Sequence, residues 1–262
     1  MVSNNQKKLI RQLRMKKYRD SSALFIAEGA KIVADMLNKG IKAHTLFCTE
    51  QGICDLNNLG INTTTSITLA ESSEMKELSE MVHATSVLAI LHKPAANLIE
   101  ADYLTKVLNG PTDTLVLALD DIQDPGNMGT IIRIADWFGI HNILLSPTCA
   151  DPYGPKAVQA SMGAIARAEI TQSNLVSFFQ SLNRDIPIYG TVLEGENIYK
   201  ANLSQNGIIL MGNEGHGLSQ EILDTLTHRL LIPSYPPLAD ITSESLNVAA
   251  ATAVVLSEFR RR

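Results

Sequence analysis

TLVLALDDIQDPGNMGTIIRIADWFGI, residues 114 to 140, decides how this chain is read. Its opening, TLVLALD, is an apolar run closed by an aspartate, the pattern of a strand buried on both faces. A loop with Pro125, Gly126, Asn127 and Gly129 follows, and the spacing of IIRIADWFGI predicts a helix. Strand, polar loop and helix form the unit of parallel sheets, whose ligands collect at the carboxyl ends of the strands. The rhythm recurs downstream: HNILLS, a proline-rich loop and KAVQASMGA, then PIYGTVL, GIILMG and RLLIP, and an alanine-rich helix expected from about Ser243. The second half is expected to be an α/β fold, a mostly parallel sheet covered by helices, with its chemistry in the loops after Asp120, Leu193, Met211 and Ile232.

The first half reads differently. Residues 4 to 17 are expected as one helix, with Lys7, Arg11 and Arg14 on one face and Leu9, Ile10 and Leu13 on another. A second helix is expected from Ala27 to Asn38. Short apolar runs at 43 to 48, 66 to 69 and 86 to 91 alternate with the helical stretch ESSEMKELSE, which suggests a small α/β domain. Lys93-Pro94-Ala95-Ala96-Asn97 reads as its exit, 98 to 108 as a connecting helix, and Asn109-Gly110-Pro111 as a break. The expected division is an N-terminal domain at 1 to 97, a linker at 98 to 112 and a second domain at 113 to 262. A chain of 262 residues exceeds the usual single-domain size, so two domains are the natural expectation.

Charge is distributed unevenly. Lys7, Lys8, Arg11, Arg14, Lys16, Lys17, Arg19, Arg260, Arg261 and Arg262 lie in the first 19 and last three positions, where no carboxylate side chain occurs. The body between holds 12 Lys and Arg against 27 Asp and Glu, a formal −15 hidden in a total of −5. Such a basic pole can draw a polyanion despite an acidic average, because the local field steers an encounter; a solvated helix and tail is the plainer alternative. No apolar stretch is long enough to span a bilayer, and the basic start lacks the apolar core of a secretory signal, so a cytoplasmic protein without membrane association is expected. Cys48, Cys54 and Cys149 form no CxxC pair and are odd in number. Buried thiols are expected, with neither disulfides nor a metal site.

Three loops carry the candidate chemistry. In DIQDPGNMGTIIR the glycines allow close backbone approach, the helix start favours anions, and Arg133 lies six residues beyond Asn127. A dinucleotide-binding turn is the competing reading, but the order is GxxG and not GxGxxG. In GIILMGNEGHGLSQEIL three glycines flank Glu214 and His216, and Ser219 is placed to cap a helix. In RLLIPSYPPLADITSESLNVAAATAVVLSEF, Ser243, Ser245 and Asn247 stand at the start of the alanine-rich helix. Each feature alone has a plain structural explanation in capping, turn formation or solvation. Their combination discriminates.

NMGTIIR (127 to 133), MGNEGHGLS (211 to 219) and IPSYPPLADITSESLNVAAATAVVLSEF (232 to 259) resemble, in order, the three motifs of the SpoU/TrmH family of RNA ribose 2′-O-methyltransferases, a branch of the SPOUT class. FIAEGAKIVADML near the start resembles the small RNA-binding domain of rRNA-modifying members. The resemblance implies S-adenosylmethionine as cofactor, RNA as substrate, with rRNA favoured over tRNA, a homodimer, and a C-terminal trefoil knot. Without it, the rule that chains are unknotted leads to an ordinary doubly wound sheet. It further implies cofactor contacts at Thr191, Val192, Leu193, Met211, Gly212, Gly217, Ile232 and Leu246, and catalytic positions at Asn127, Arg133, Glu214, Ser245 and Asn247. Lys7, Lys8, Arg11 and Arg14, with Arg133, are expected to meet RNA phosphates.

Two departures from the family pattern stand out: the proline-rich SYPPLADITSE between Pro233 and Ser245, and Gln159 where arginine is usual. A guanidinium stays protonated at neutral pH, so Arg133 suits a phosphate clamp and alkoxide stabiliser better than a base. The competing functional classes are a noncatalytic RNA-binding protein and a nucleotide-dependent oxidoreductase. Retention of all five polar positions speaks against the first, and the missing GxGxxG against the second.

Overall fold

The computed structural model describes residues 1–62, 67–94, 101–110, 114–183, 185–235 and 245–261. In chain order the helices and strands are α1 (Asn4–Leu13), α2 (Lys16–Ser22), β1 (Leu24–Glu28), α3 (Ala30–Asn38), β2 (Ala43–Cys48), α4 (Glu50–Asn58), β3 (Ile67–Leu69), α5 (Ser72–Leu78), β4 (Val87–His92) and α6 (Ala101–Leu108). They continue as β5 (Leu115–Leu119), α7 (Pro125–Trp137), β6 (Asn142–Leu145), α8 (Pro155–Ser161), β7 (Glu169–Gln172), α9 (Leu175–Ser181), β8 (Ile188–Asn197), β9 (Gly207–Met211), α10 (Gln220–Leu223), β10 (His228–Leu231) and α11 (Val248–Arg261). The chain divides into two compact units, Met1–Ala96 with Asp151–Arg167, and Asn97–Ala150 with Ala168–Arg262.

This grouping differs from a division by sequence position. The stretch read as a linker supplies Leu104 and Leu108, both fully buried, to the core of the second unit. Asp151–Arg167, read as part of the second domain, groups with the first.

The first unit is built on a four-stranded sheet of order β1-β4-β2-β3. β1 and β2 flank β4 antiparallel, and β3 runs parallel to β2. Ile10, Leu13, Ile26, Phe47, Met75, Leu88 and Ile90 form its core cluster. The helix expected from 4 to 17 is broken. Ser3 starts α1 with a capping box to Gln6, but Met15 is extended (φ −96°, ψ 132°) and α2 starts anew. The Arg19 guanidinium holds the corner, donating to the carbonyls of Leu13 (2.9 Å) and Arg14 (2.7 Å). The helix expected from Ala27 begins instead at Ala30, because Phe25 to Ala27 pair with β4 and Gly29 turns the chain at φ 100°. Cys48 and Cys149 are buried as expected, whereas Cys54 is exposed.

The second unit holds a six-stranded sheet of order β10-β8-β9-β5-β6-β7, with every pairing parallel. β5 and β9, side by side at its centre, are buried at every position, as parallel strands covered on both faces must be. Val116, Ala118, Leu144, Ile188, Ile208 and Leu210 from the sheet pack with Phe178 and Phe179 of α9 and Ile222 of α10. From β5 the chain runs outward through β6 to β7, then returns to form β8 and β9 on the other side. The boundary between β5 and β9 is therefore a topological switch point, where adjacent strand ends send their loops apart and leave a crevice. The last helix, expected from about Ser243, starts only at Val248, with residues 245 to 247 ahead of it; Ser243 and Arg262 lie outside the described residues.

Candidate active site

Two loops meet at the β5/β9 switch point. The first begins at Asp120, whose N–H donates to Met211 O at 2.9 Å. Asp124 then caps α7, its carboxylate accepting from Asn127 N at 2.8 Å, and Pro125 occupies the first turn, where its missing N–H costs nothing. Asn127 therefore sits in the first turn of the helix, at the helix start where its motif is expected to put it. The second loop is a tight turn in which Asn213 and Gly217 exchange backbone hydrogen bonds of 3.2 and 2.9 Å. Gly217 has φ +67°, and a Cβ at Gly212 would stand 2.8 Å from the Gly217 carbonyl carbon. The turn thus requires glycine at both ends, and it projects Glu214 outward.

A third segment closes the cluster. Asn247 precedes α11, and its Oδ1 accepts from Ala249 N (3.0 Å) and Ala250 N (3.3 Å). That cap fixes the amide orientation, so Nδ2 faces away from the helix and donates to Glu214 Oε1 (2.7 Å) and Asn127 Oδ1 (3.1 Å). Glu214 Oε1 also accepts from Asn127 Nδ2 (2.8 Å) and Val248 N (3.0 Å). One carboxylate oxygen thereby joins the loops after β5 and β9 to the start of α11. Three N–H groups converge on it, one of them from the helix start, where a negative charge is favoured.

Asn127, Glu214 and Asn247 are thus brought together. Arg133 and Ser245 are not part of this cluster. Arg133 lies six residues along α7 from Asn127, about 9 Å further down the axis and turned roughly 120° around it. Its side chain is exposed and has no hydrogen bond or ion pair with other described residues. Ser245 is exposed beside Leu246 and likewise makes no hydrogen bond to a described residue. His216 is exposed, and among the described residues it is engaged through its backbone N–H, with Asn213 Oδ1 at 3.2 Å.

The positions expected to hold a cofactor fall on neighbouring strand ends. Between Arg229 and Leu230 of β10 the partner on β8 jumps from Gly190 to Glu196, so residues 191 to 195 leave the ladder. Thr191, Val192 and Leu193 lie on this excursion, which nothing in PIYGTVLEGEN announced. Leu193 is 72% exposed and Leu246 51% exposed, while Met211 at the end of β9 is buried. Gly212 and Gly217 frame the next turn, and Ile232, half-buried, follows β10. Exposed aliphatic groups beside polar turns at the carboxyl edge of a parallel sheet suit a ligand that is part apolar and part polar.

The sequence reading passed over the residues beneath the cluster. Asn213 Nδ2 donates to Asp121 O (2.9 Å) and Asp121 Oδ2 (3.1 Å), and Asp121 N donates to Ser146 Oγ (2.9 Å). Burial pushes the Asp120 carboxyl above its usual range, partly offset by hydrogen bonds from Ser146 and the Ser219 N–H. Ser219 occupies the cap position of α10 but makes no side-chain cap. The Asp120-Asp121 doublet closing a buried strand was the available signal. Among the described residues no group of three or more His, Cys, Asp or Glu is placed to hold a metal.

The basic surface of the first unit is also more occupied than its sequence suggests. Glu77 pairs with Lys7 (2.6 Å) and Arg11 (3.1 Å), and Arg14 pairs with Glu80 (3.1 Å). Arg19 is buried against Asp151. Lys8 remains exposed, and with Asn4, Lys7, Arg11, Gln12, Met15 and Glu77 it lines a groove of about 350 Å³. At the other end, Arg260 donates to the carbonyls of Phe138 and Gly139, and Arg261 pairs with the buried Glu258.

Fold and site together define an α/β enzyme with a polar cluster and a ligand edge at one switch point. Residues 114–257 match the SpoU rRNA Methylase family and residues 4–89 the MRM3-like substrate binding domain. The chain belongs to the SpoU rRNA methylase family. It is 28% identical over 262 residues to the 23S rRNA (guanosine(2553)-2′-O)-methyltransferase RlmP of Bacillus subtilis, covering 99% of this chain and 97% of that one. A structure of a TrmH-family protein from Porphyromonas gingivalis superposes with a TM-score of 0.83 at 37% identity, covering 100% of this chain and 99% of the other. The AdoMet-bound rRNA methyltransferase of Sinorhizobium meliloti superposes with a TM-score of 0.83 at 28% identity, covering 100% and 96%.

Proposed function

We propose that this protein methylates a ribose 2′-hydroxyl of ribosomal RNA with S-adenosylmethionine as the donor. The observation that carries the reading is the Asn127–Glu214–Asn247 cluster, assembled from three chain segments at the switch point. Relatives named as 23S rRNA 2′-O-methyltransferases support the reaction class, and the match to the MRM3-like domain supports rRNA over tRNA.

The fit to the cofactor rests on the excursion at 191 to 195 and the glycine turn at 212 to 217. Exposed Leu193 and Leu246 would lie along an adenosine, and backbone groups of Met211, Gly212, Gly217 and Ile232 would meet its polar edges. When bound, S-adenosylmethionine supplies a methyl group already activated by the sulfonium charge. The protein's task is then to place the 2′-oxygen and to help its proton leave. Asn127 retains one amide hydrogen beyond its bond to Glu214, and Glu214 retains Oε2, so both can orient the ribose. Arg133, uncommitted among the described residues, would clamp the adjoining phosphate and stabilise charge on the oxygen as the proton passes to water. Glu214 acts here as the hub that aligns Asn127 and Asn247, since one of its oxygens already serves three donors. Alignment of this kind can supply as much as about 7–11 kcal/mol in favourable cases. The reading includes a cytoplasmic homodimer whose C-terminal segment is threaded as a trefoil knot.

The first unit would hold RNA through phosphates along the groove of α1. Its ion pairs reduce the expected salt dependence, because Glu77, shared by Lys7 and Arg11, and Glu80, paired with Arg14, already offset two of those three positive charges. Replacing Lys7, Lys8, Arg11 and Arg14 with glutamine is expected to lower the slope of log K against log salt by about 1–2. Four full phosphate contacts, at roughly 0.7–0.9 each, would lower it by about 3. S-adenosylmethionine affinity is expected to stay unchanged. An unaltered slope would show α1 to be a solvated helix and no more. The reading as a whole is tested by incubating the protein with S-adenosylmethionine and unmodified rRNA and searching the digested RNA for a new 2′-O-methylnucleoside.

A further inference from the structure

We propose that Asp121 and Asn213 form a positioning pair for methyl transfer, a clasp across the β5/β9 switch point that sets the separation of Asn127 from Glu214. The proposal rests on the functional reading above. Asp121 is one of three described non-glycine residues with positive φ, at 54°. A side chain in the left-handed region needs its surroundings to hold it there, and such residues gather at functional sites.

The holding groups are explicit. The Asp121 N–H donates to Ser146 Oγ, and its carbonyl and Oδ2 both accept from Asn213 Nδ2, at 2.9 and 3.1 Å. Gln123 Nε2 donates to both carboxylate oxygens, at 3.1 and 3.2 Å. The other end of Asn213 is equally committed. Its Oδ1 accepts from Gly215 N (2.8 Å) and His216 N (3.2 Å), which fixes the amide so that nitrogen faces Asp121.

One side chain therefore shapes the turn carrying Glu214 and grips the loop leading to Asn127. The two loops are tied at their roots by Asp121 and Asn213, and at their tips by Asn127 and Glu214. With the root tie gone, the tip bonds would have to locate the loops unaided. A displacement of about 1 Å at a reacting centre can cost on the order of a hundredfold in rate.

Asn213→Asp separates the clasp from the turn. It keeps an oxygen for Gly215 and His216 but sets a second oxygen against the Asp121 carbonyl and carboxylate. Methyl transfer to rRNA from a strain lacking the enzyme is expected to show kcat reduced at least about tenfold, with KM for S-adenosylmethionine and for RNA within about twofold. Asp121→Asn, tolerated at positive φ, keeps one side-chain oxygen for Asn213 Nδ2 and is expected to lower kcat less than Asn213→Asp does. Combined with Asn213→Asp it should recover part of the lost rate, since the amide introduced at position 121 can donate to the new carboxylate while the main-chain carbonyl there still faces an oxygen. Asp121→Gly keeps the backbone turn without the carboxylate, and a severalfold lower kcat with an unchanged melting temperature is expected. An Asn213→Asp enzyme with unchanged kcat, or a loss that the double variant does not relieve, would overturn the clasp. Absence of transfer by the unaltered protein would overturn the functional reading itself, a distinct failure.

Discussion

Arg133→Lys is expected to lower kcat/KM for RNA by about a hundredfold, and Arg133→Ala by about a thousandfold, while S-adenosylmethionine binding is unchanged. The range is that of removing one preorganised donor from a site where charge develops. Arg133 is the only cation on α7, it is exposed, and no other described residue pairs with it. The guanidinium presents a planar fork that can grip a phosphate with two parallel hydrogen bonds and still face the reacting oxygen, whereas an ammonium offers a compact point charge. Proton abstraction by Arg133 is disfavoured because a guanidinium stays protonated and has no acceptor to offer. Steady-state methyl transfer with a calorimetric titration of the cofactor checks the prediction. Near-full turnover by Arg133→Lys would remove the bidentate role.

Arg19→Ala is expected to destabilise the first unit by about 3–5 kcal/mol, the usual cost of removing one partner of a buried ion pair. Arg19 is 4% exposed and meets Asp151 with Nη2 at 2.6 Å and Nε at 2.8 Å. Its Nη1 donates to two carbonyls left open where α1 ends. Truncation would strand the buried Asp151 charge and leave those carbonyls without a donor. It would also loosen Asp151–Arg167, whose Tyr153 ring packs edge-on against Phe25 at 5.2 Å. Burial pushes the Tyr153 phenol up to about 12, so its titration contributes no stability change near neutrality. Denaturant unfolding checks the prediction, and a loss below about 1 kcal/mol would show the pair to be dispensable.

The parallel sheet was legible because β5, β6 and β9 are short apolar runs closed by turn residues, too short for a buried helix. β1 was not. FIAEGAKIV reads as one helical stretch until pairing with β4 claims Phe25 to Ala27 and Gly29 reverses the chain. Charge misled in a related way. Lys7, Arg11 and Arg14 stand apart from acids in sequence, yet the fold returns Glu77 and Glu80 to them from more than 60 residues away. In the site, Asn127, Glu214 and Asn247 were legible through family motifs, and their hydrogen bonds give a physical reason for those residue types. Asp121 and Asn213 were not, because a left-handed aspartate and a two-ended amide acquire meaning only when two distant loops meet. The excursion at 191 to 195 arises from a pairing shift against β10, which depends on a partner strand far along the chain.

Ribose methylation directed by the Asn127–Glu214–Asn247 cluster would leave a defined mark on rRNA. Its most direct test is ribose-methylation mapping of rRNA from a strain deleted for this gene, with and without return of the unaltered protein. The expected result is one missing 2′-O-methyl group, restored in vivo and by purified protein with S-adenosylmethionine. An unchanged map, or a methyl group restored on a base instead of a ribose, would contradict it.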